Sequence, residues 1–261
     1  MKISVLASGS SGNFTFVSGG GTKLLVDAGT NCRTICAALA GIGEDVSALD
    51  GVLVTHDHSD HVKALATLEK KRSLALPLYA TDGTIEAVCE AFGQSSCSWP
   101  WTSIAPGEPF SVGALRLEAF AVPHDAADPV GFVISDGKTR YGIATDIGSV
   151  PALVRLRLRD CDALSLEFNH DCEMLRSSDR PWPLKQRISG RSGHLCNEDA
   201  AQLLSEVATP RLKALFPVHL SAECNMPHLA VRAAREALEG AGLDPGVVRE
   251  PCYPAPPVEI G

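Results

Sequence analysis

The stretch THDHSDH (residues 55–61) ends the apolar run GVLVT (51–55). Three imidazoles and two carboxylates fall within the six positions from His56 to His61. Imidazole nitrogen and carboxylate oxygen are ligands of Zn²⁺, Mn²⁺ and Fe²⁺. Crowding them costs stability unless a cation uses them. Histidine is scarce, with 8 in 261 residues, so H-x-H-x-D-H is a metal-ligand pattern and not a by-product of composition. The run before it is short and apolar throughout, as in a strand buried on both faces.

Working outward, the same arrangement recurs. His124 follows LEAFAVP, Asp146 follows YGIAT, His170 follows ALSLEFN and His219 follows LKALFPV. Loops at the carboxyl edge of a sheet converge on one crevice. Core packing does not explain five strand ends that each deliver a metal-type residue. The remaining histidines are His194, after Gly193, and His228, which reads as a helix-surface residue.

The intervening pattern predicts strands at KISVLA (2–7), NFTFVS (13–18), TKLLVDAG (22–29) and LPLYA (76–80). The Gly9–Asn13 stretch (GSSGN) reads as a hairpin turn. Helices are expected near 30–40, over 60–71 and over 83–92. The centre is β-rich, with EPFSV, LRLEAFAV and VGFVIS, and DGKTRYGIATD closes a hairpin through Asp136-Gly137. Further on, the pattern predicts helices over 153–158, 197–207 (Asn197 as N-cap) and 228–240. Strands are expected at 163–167 and 212–218. The end, PCYPAPPVEI, reads as a tail or last strand. No linker breaks the pattern, so a single domain over 1–261 is expected, α/β in class, with two stacked sheets and helices outside.

Composition sets limits. Apolar content of 45% and charged content of 21% suit a globular chain. No run reaches the roughly 18 apolar residues of a membrane span. MKISVLASGSSGN reads as a first strand, not a secretion signal. The nine cysteines are odd in number and form no C-x-x-C pair. A reducing, cytoplasmic compartment is therefore expected. Cys32 and Cys36, one helical turn apart, read as small apolar residues of a helix face. The net charge of −8 argues against passive polyanion binding. Several of the acids read as metal ligands, however, and two divalent ions would offset them locally.

The order H-x-H-x-D-H, His124, Asp146, His219 resembles the metallo-β-lactamase-fold hydrolases. The resemblance covers essentially the whole chain and implies their αββα sandwich. It implies His56, His58 and His124 on a first metal ion, Asp60, His61 and His219 on a second, and Asp146 bridging. Asp27 would orient a ligand histidine, although a turn-capping role fits its position before Gly29 equally well. The segments LASGSSGNFTFV, PHDAADPVGFVI, TDIG, LEFNHDCEML, LKQRISGRSGHL and VHLSAECN are similar to the bacterial YycJ-like (WalJ/VicX-like) subfamily, regarded as a nuclease branch. The tail also resembles ribonuclease Z. That likeness implies His194 as proton donor, held by Glu167 or Asp171, with Asp60 also in the catalytic group. Cys196 stands where serine is usual in GHLSN, and Glu223-Cys224-Asn225 replaces a run usually holding two asparagines.

The expected function is a dinuclear hydrolase using Zn²⁺, Mn²⁺ or Fe²⁺, a phosphodiesterase acting on DNA from an end, monomeric or dimeric. The alternative is a small-molecule hydrolase (lactonase, thioesterase or cyclic phosphodiesterase) on the same ligands. A third reading, a non-catalytic metal-binding or regulatory module, has no need of an open site with seven ligands. Expected substrate contacts are Ser11, Asn13, His170, Lys185, Arg187 and Arg191. Arg155, Arg157 and Arg159 read as a solvated helix face. Aromatic residues make up only 5%, leaving Trp99, Trp101 and Trp182 for base stacking.

Overall fold

Alternation of side chains along each strand builds the layers. In the computed structural model, which describes residues 1–71 and 76–261, the first half runs β1 (Lys2–Ala7), β2 (Phe14–Gly19), β3 (Thr22–Val26), α1 (Cys32–Gly41), β4 (Gly51–Leu53), α2 (Ser59–Val62), α3 (Leu65–Lys71), β5 (Leu78–Ala80), α4 (Asp82–Phe92) and β6 (Trp101–Ser103). The second half runs β7 (Pro109–Val112), β8 (Leu115–Ala121), β9 (Val130–Ser135), β10 (Arg140–Ala144), α5 (Ala152–Leu158), β11 (Ala163–Glu167), α6 (Cys172–Ser177), α7 (Trp182–Ile188), α8 (Asn197–Val207), β12 (Ala214–Val218), α9 (Pro227–Gly240) and β13 (Val258–Glu259).

Two sheets result, one ordered β13-β1-β2-β3-β4-β5-β6 and the other β12-β11-β10-β9-β8-β7. Both are mixed. β3 through β6 pair in parallel, as do β10 through β12, and the remaining pairs are antiparallel. In β3, Leu24 and Val26 face the other sheet while Leu25 faces α1; in β11, Ala163 faces inward and Leu164 and Leu166 face α8. The period of two thus feeds one core between the sheets and one under each helical layer. Fully burying a Leu or Phe side chain contributes about 1.5–3 kcal/mol, and Leu24, Leu25, Phe16 and Phe132 are all buried. The outcome is the expected αββα sandwich.

Some boundaries differ from the sequence pattern. The helix expected over 60–71 is broken at Lys63-Ala64, where the Ala64 amide bonds the Ala28 carbonyl at 2.8 Å and leaves the helical ladder. β2 starts after Asn13 and β3 stops before Asp27, which frees both side chains for other contacts. α6, α7 and β6 have no counterpart in the sequence reading. The Pro-rich end closes as β13 against β1. The N-cap of α8 is Cys196 and not Asn197. Asn197 is buried and exchanges amide hydrogen bonds with Asn225 at 3.0 and 2.9 Å, so its side chain is committed inward. Among the described residues no helix is long and apolar enough to cross a membrane.

Candidate active site

Parallel strands end at one edge, and their ends carry the polar residues. Asp27 follows β3, His56–His61 follow β4, His124 follows β8, Asp146 follows β10, Glu167 closes β11 and His219 follows β12. Asp27, Asp146 and His219 adopt left-handed backbone, with φ of 64°, 58° and 58°. Such conformations cost energy outside glycine and gather at functional sites. Gly29 lets the β4 loop come close: a Cβ there would lie 1.5 Å from the Asp60 carbonyl oxygen.

Four imidazoles are tethered through Nδ1. His61 bonds Asp27 Oδ2 at 2.8 Å, His219 bonds Glu167 Oε1 at 3.0 Å, His124 bonds the Gly193 carbonyl at 3.1 Å and His56 meets Thr55 Oγ1 at 3.0 Å. Each keeps Nε2 for the interior. His58 presents Nδ1 instead, 3.2 Å from His124 Nε2. The remaining donor separations are similar. His61 Nε2 lies 3.2 Å from Asp146 Oδ2 and 3.6 Å from Asp60 Oδ2, and His219 Nε2 lies 3.6 Å from Asp60 Oδ2. Nitrogens at 2.0–2.1 Å in a tetrahedron around zinc stand about 3.4 Å apart, so these edges suit shared ions.

A second observation agrees. His56 Nε2, His219 Nε2 and Asp146 Oδ2 are buried without a hydrogen-bond partner. Unsatisfied buried polar atoms cost about 1–3 kcal/mol each, and three converging on one space mark donors for a cation. The side chains fall into overlapping groups: His56, His58 and His124; His56, His61 and Asp146; Asp60, His61 and His219.

Electrostatics points the same way. Burial opposes a charged His61, yet Asp27 and Asp146 raise it to about 10. Burial likewise opposes a charged His219, and Asp146, Asp60 and Glu167 hold it well above the usual range. Burial would raise Glu167, but His194 and His219 lower it to about 2. Asp146 is held well below the carboxylate range by His219 and His61 despite burial. Burial and the neighbouring His61 push His56 well down. The acids thus demand positive charge, which protons on His61 and His219 supply; cation binding would displace those protons.

His194 sits beside this cluster, its Nδ1 2.8 Å from Glu167 Oε1. Asp171, the other candidate tether, instead caps α6 by accepting from the Met174 amide at 2.9 Å. A cavity of about 240 Å³ opens over His58, Asp60, His124, Asp146, His194 and His219.

The expected substrate contacts divide. Arg187 borders the cavity, paired with Asp125 at 2.5 Å. Asn13 is 5% exposed and turned inward, its amide 3.2 Å from Asp60 Oδ2 and 3.1 Å from His61 Nε2. It therefore supports the donors and does not face the cavity. His170 is 2% exposed and does not border the cavity, so burial removes it as a contact. Lys185 spends its ammonium on the Arg176 and Ser178 carbonyls, at 2.8 and 2.6 Å. Ser11 and Arg191 are absent from the cavity wall, where Ser10 appears instead. Asp57, inside the motif, accepts the Ala127 amide at 2.8 Å and ties two loops.

Arg180, Asp125, Asn169 and Ser221 line the wall without having been anticipated. Asp125 and Asn169 each adjoin a flagged histidine, which was the available signal. Arg180 carries none, because it precedes α7. Arg155 and Arg157 pair with Glu206 and Glu118 on the molecule's outside. Trp99 and Trp101 stack on each other at 6.1 Å, while Trp182 is 68% exposed on α7.

A sandwich of two mixed sheets with imidazole and carboxylate donors at their shared carboxyl edge defines the metallo-β-lactamase class of scaffold. Residues 22–220 match the family described as beta-lactamase superfamily domain. The chain belongs to this superfamily, within the group that holds the YycJ and WalJ proteins. It is 36% identical over 246 residues to exodeoxyribonuclease YycJ of Bacillus anthracis, spanning 94% of this chain and 92% of that one. It is 36% identical over 248 residues to exodeoxyribonuclease WalJ of Streptococcus pneumoniae, spanning 94% and 91%. Zn²⁺-bound PqqB of Methylobacterium extorquens superposes with a TM-score of 0.74 at 20% identity over the full length of both chains. That likeness shows the fold. The fold family implies divalent metal ions, and the donor geometry fits them.

Proposed function

We propose that this protein is a metal-dependent phosphodiesterase that degrades DNA from an end. His56, His58, His124 and Asp146 would hold one divalent cation, and Asp60, His61, His219 and Asp146 a second, Zn²⁺ or Mn²⁺ in identity. The carrying observation is the His194–Glu167 pair, 2.8 Å long, which holds His194 on the cavity wall beside the donor cluster from a fully buried carboxylate. The exodeoxyribonuclease names of the two relatives, 36% identical over 94% of the chain, support DNA as substrate.

Bound cations would supply Lewis acidity and make a water molecule nucleophilic near neutral pH, moving its pKa from 15.7 towards about 7. The residues do the rest. Glu167 fixes the His194 ring through Nδ1, and His194 Nε2 carries the proton that the departing oxygen needs. Burial works against that proton, but Glu167 raises the His194 imidazole above its ordinary range and so favours the charged donor. Asp27, Glu167 and the Gly193 carbonyl hold His61, His219 and His124 in place before substrate arrives. Arg187 and Arg180, bordering the cavity, take the phosphates next to the one cleaved. Their present partners, Asp125 and Glu223, form surface pairs worth about 0–1 kcal/mol, so a phosphate displaces them at little cost. The thiols other than Cys32 and Cys36 are free. The Cys32 and Cys36 sulfurs stand 3.9 Å apart, well short of a bond. That inventory supports a cytoplasmic setting.

The test offers Mn²⁺- or Zn²⁺-loaded protein end-labelled duplex DNA, single strands, RNA and a panel of lactones and thioesters. Metal-dependent release of nucleotides from DNA ends is expected. His58→Ala should lose both metal and activity. His194→Ala should keep its metal and lose about 10²–10⁴ in rate. Turnover of a lactone or thioester without phosphodiester cleavage would favour the small-molecule reading.

A further inference from the structure

Cys172 opens α6, and Cys196 caps α8. The segments leading to them lie side by side. His170 and Cys196 form a parallel bridge, the Asn169 amide donates to the Leu195 carbonyl at 3.0 Å and the Asn197 amide to the His170 carbonyl at 2.8 Å. This pairing brings the Cys172 thiol, the Cys196 thiol and a Glu198 carboxylate oxygen within 4.8 Å of one another. Cys196 is buried, whereas Cys172 and Glu198 are exposed, so the group opens to solvent.

The spacing is that of ligands around one ion. Cys172 Sγ lies 3.4 Å from Glu198 Oε2. Sulfur at 2.3 Å and oxygen at 2.0–2.2 Å in a tetrahedron around zinc stand about 3.5 Å apart. The Asp199 amide donates to Cys196 Sγ at 3.4 Å, which partly offsets the upward push of burial on that thiol. His170, the bridge partner of Cys196, has a buried Nδ1 without a hydrogen-bond partner. Residues paired in a ladder project to the same side. None of these four side chains lines the catalytic cavity, and the proposed chemistry uses none of them.

We propose that Cys172, Cys196 and Glu198 form a separate site for a thiophilic divalent cation of the Zn²⁺ or Cd²⁺ type. Each thiol releases its proton to solvent as its sulfur–metal bond forms, with no change of oxidation state. The ion staples the start of α6 to the start of α8. Those starts terminate the chain segments that carry Glu167 and His194, so the staple stiffens one wall of the catalytic site. Sulfur ligands select this site for softer ions, while Mn²⁺ favours oxygen and nitrogen donors.

The experiment titrates Cd²⁺ into protein preloaded with Mn²⁺ and reads the ultraviolet cadmium–thiolate charge-transfer band together with the melting temperature. Cadmium entering the histidine and aspartate cluster produces no such band, because that cluster has no sulfur. One Cd²⁺ carrying two thiolates is expected, with a rise in melting temperature. Cys172→Ser, at an exposed position, and Cys196→Ser should each lose the band and the rise while keeping the far-ultraviolet circular dichroism of the parent. Cys32→Ser, Cys97→Ser and His58→Ala should retain both. Absence of the band in the parent would overturn the proposal. So would a band that survives both Cys172→Ser and Cys196→Ser.

Discussion

Apart from His58, each imidazole of the cluster is fixed by the nitrogen it does not present. Asp27 shows the consequence most clearly. Its carboxylate accepts the Thr55 amide at 2.8 Å, the Thr55 hydroxyl at 3.0 Å and His61 Nδ1 at 2.8 Å. It thereby aligns the motif's first residue and its last ligand together. Asp27→Ala leaves the buried Thr55 amide without a partner and His61 Nδ1 with only the Thr55 hydroxyl, at 3.2 Å. We expect a 10–100-fold weaker hold on metal and a stability loss of about 1–3 kcal/mol. Competition against a chromophoric chelator reads the first and urea unfolding the second. Unchanged metal affinity would reduce Asp27 to a turn cap, the other role its position before Gly29 suggests.

Helices report their period through what they bury, and α5 is the sharpest case. Its second half and C-cap, RLRLR at 155–159, alternate as a strand would. Yet Val154 and Leu158, four apart, are buried at 0% exposure, while Leu156 between them is 63% exposed. The helical face wins because Val154 and Leu158 reach the core beneath the second sheet. Leu158→Ala should therefore cost about 2–5 kcal/mol, and Leu156→Ala should stay within about 0.5 kcal/mol. Urea midpoints at constant slope measure both. The parallel strands were legible for a related reason: β4 and β12 are continuous apolar runs because both of their faces are covered, and β11, although it carries Ser165 and Glu167, is buried at every position. Their ends were legible because ligands follow directly. α6 and α7 were not. They are 6 and 7 residues long, set among serine, proline and charged residues, too short for any period to emerge. Arg180 and the Arg187–Asp125 pairing were hidden with them, since both depend on where α7 docks. Asn13 was read as a substrate contact from the family resemblance and His170 because it follows a marked strand end; burial, which position in sequence does not encode, turns both inward.

Across the whole molecule, charge is placed where it can be neutralised. Glu44, after α1, meets Lys2 of β1 at 2.9 Å and Lys23 of β3 at 2.8 Å. Burial raises its carboxyl, but the two lysines outweigh burial and hold it below the ordinary value. A carboxylate depressed in the folded state contributes stability above its unfolded pKa, about 4.3, and loses that contribution as pH falls through the lower folded value. Glu44→Gln should thus cost about 0.5–1 kcal/mol at pH 7. Its melting temperature should converge with that of the parent in acid, below about pH 4. A gap that persists there would mean that packing, not charge, sets the difference.

Chelation acts on the opposite side of this balance. Asp60, Asp146 and Glu167 all lie within 3.6 Å of His219, and without cations they rely on protons held by His61 and His219. The three apolar clusters that build the sandwich draw on none of these residues. Metal removal should therefore leave the sheets assembled and lower the melting temperature. A ligand bound only by the folded state adds about 4.1 kcal/mol at a concentration 1,000 times its dissociation constant, so the shift should grow with added metal. Scans at a series of free Zn²⁺ and Mn²⁺ concentrations would show it, with His58→Ala responding less. A melting temperature indifferent to both chelator and metal would mean that the seven donors hold no cation, and the proposed hydrolytic chemistry would lose its basis.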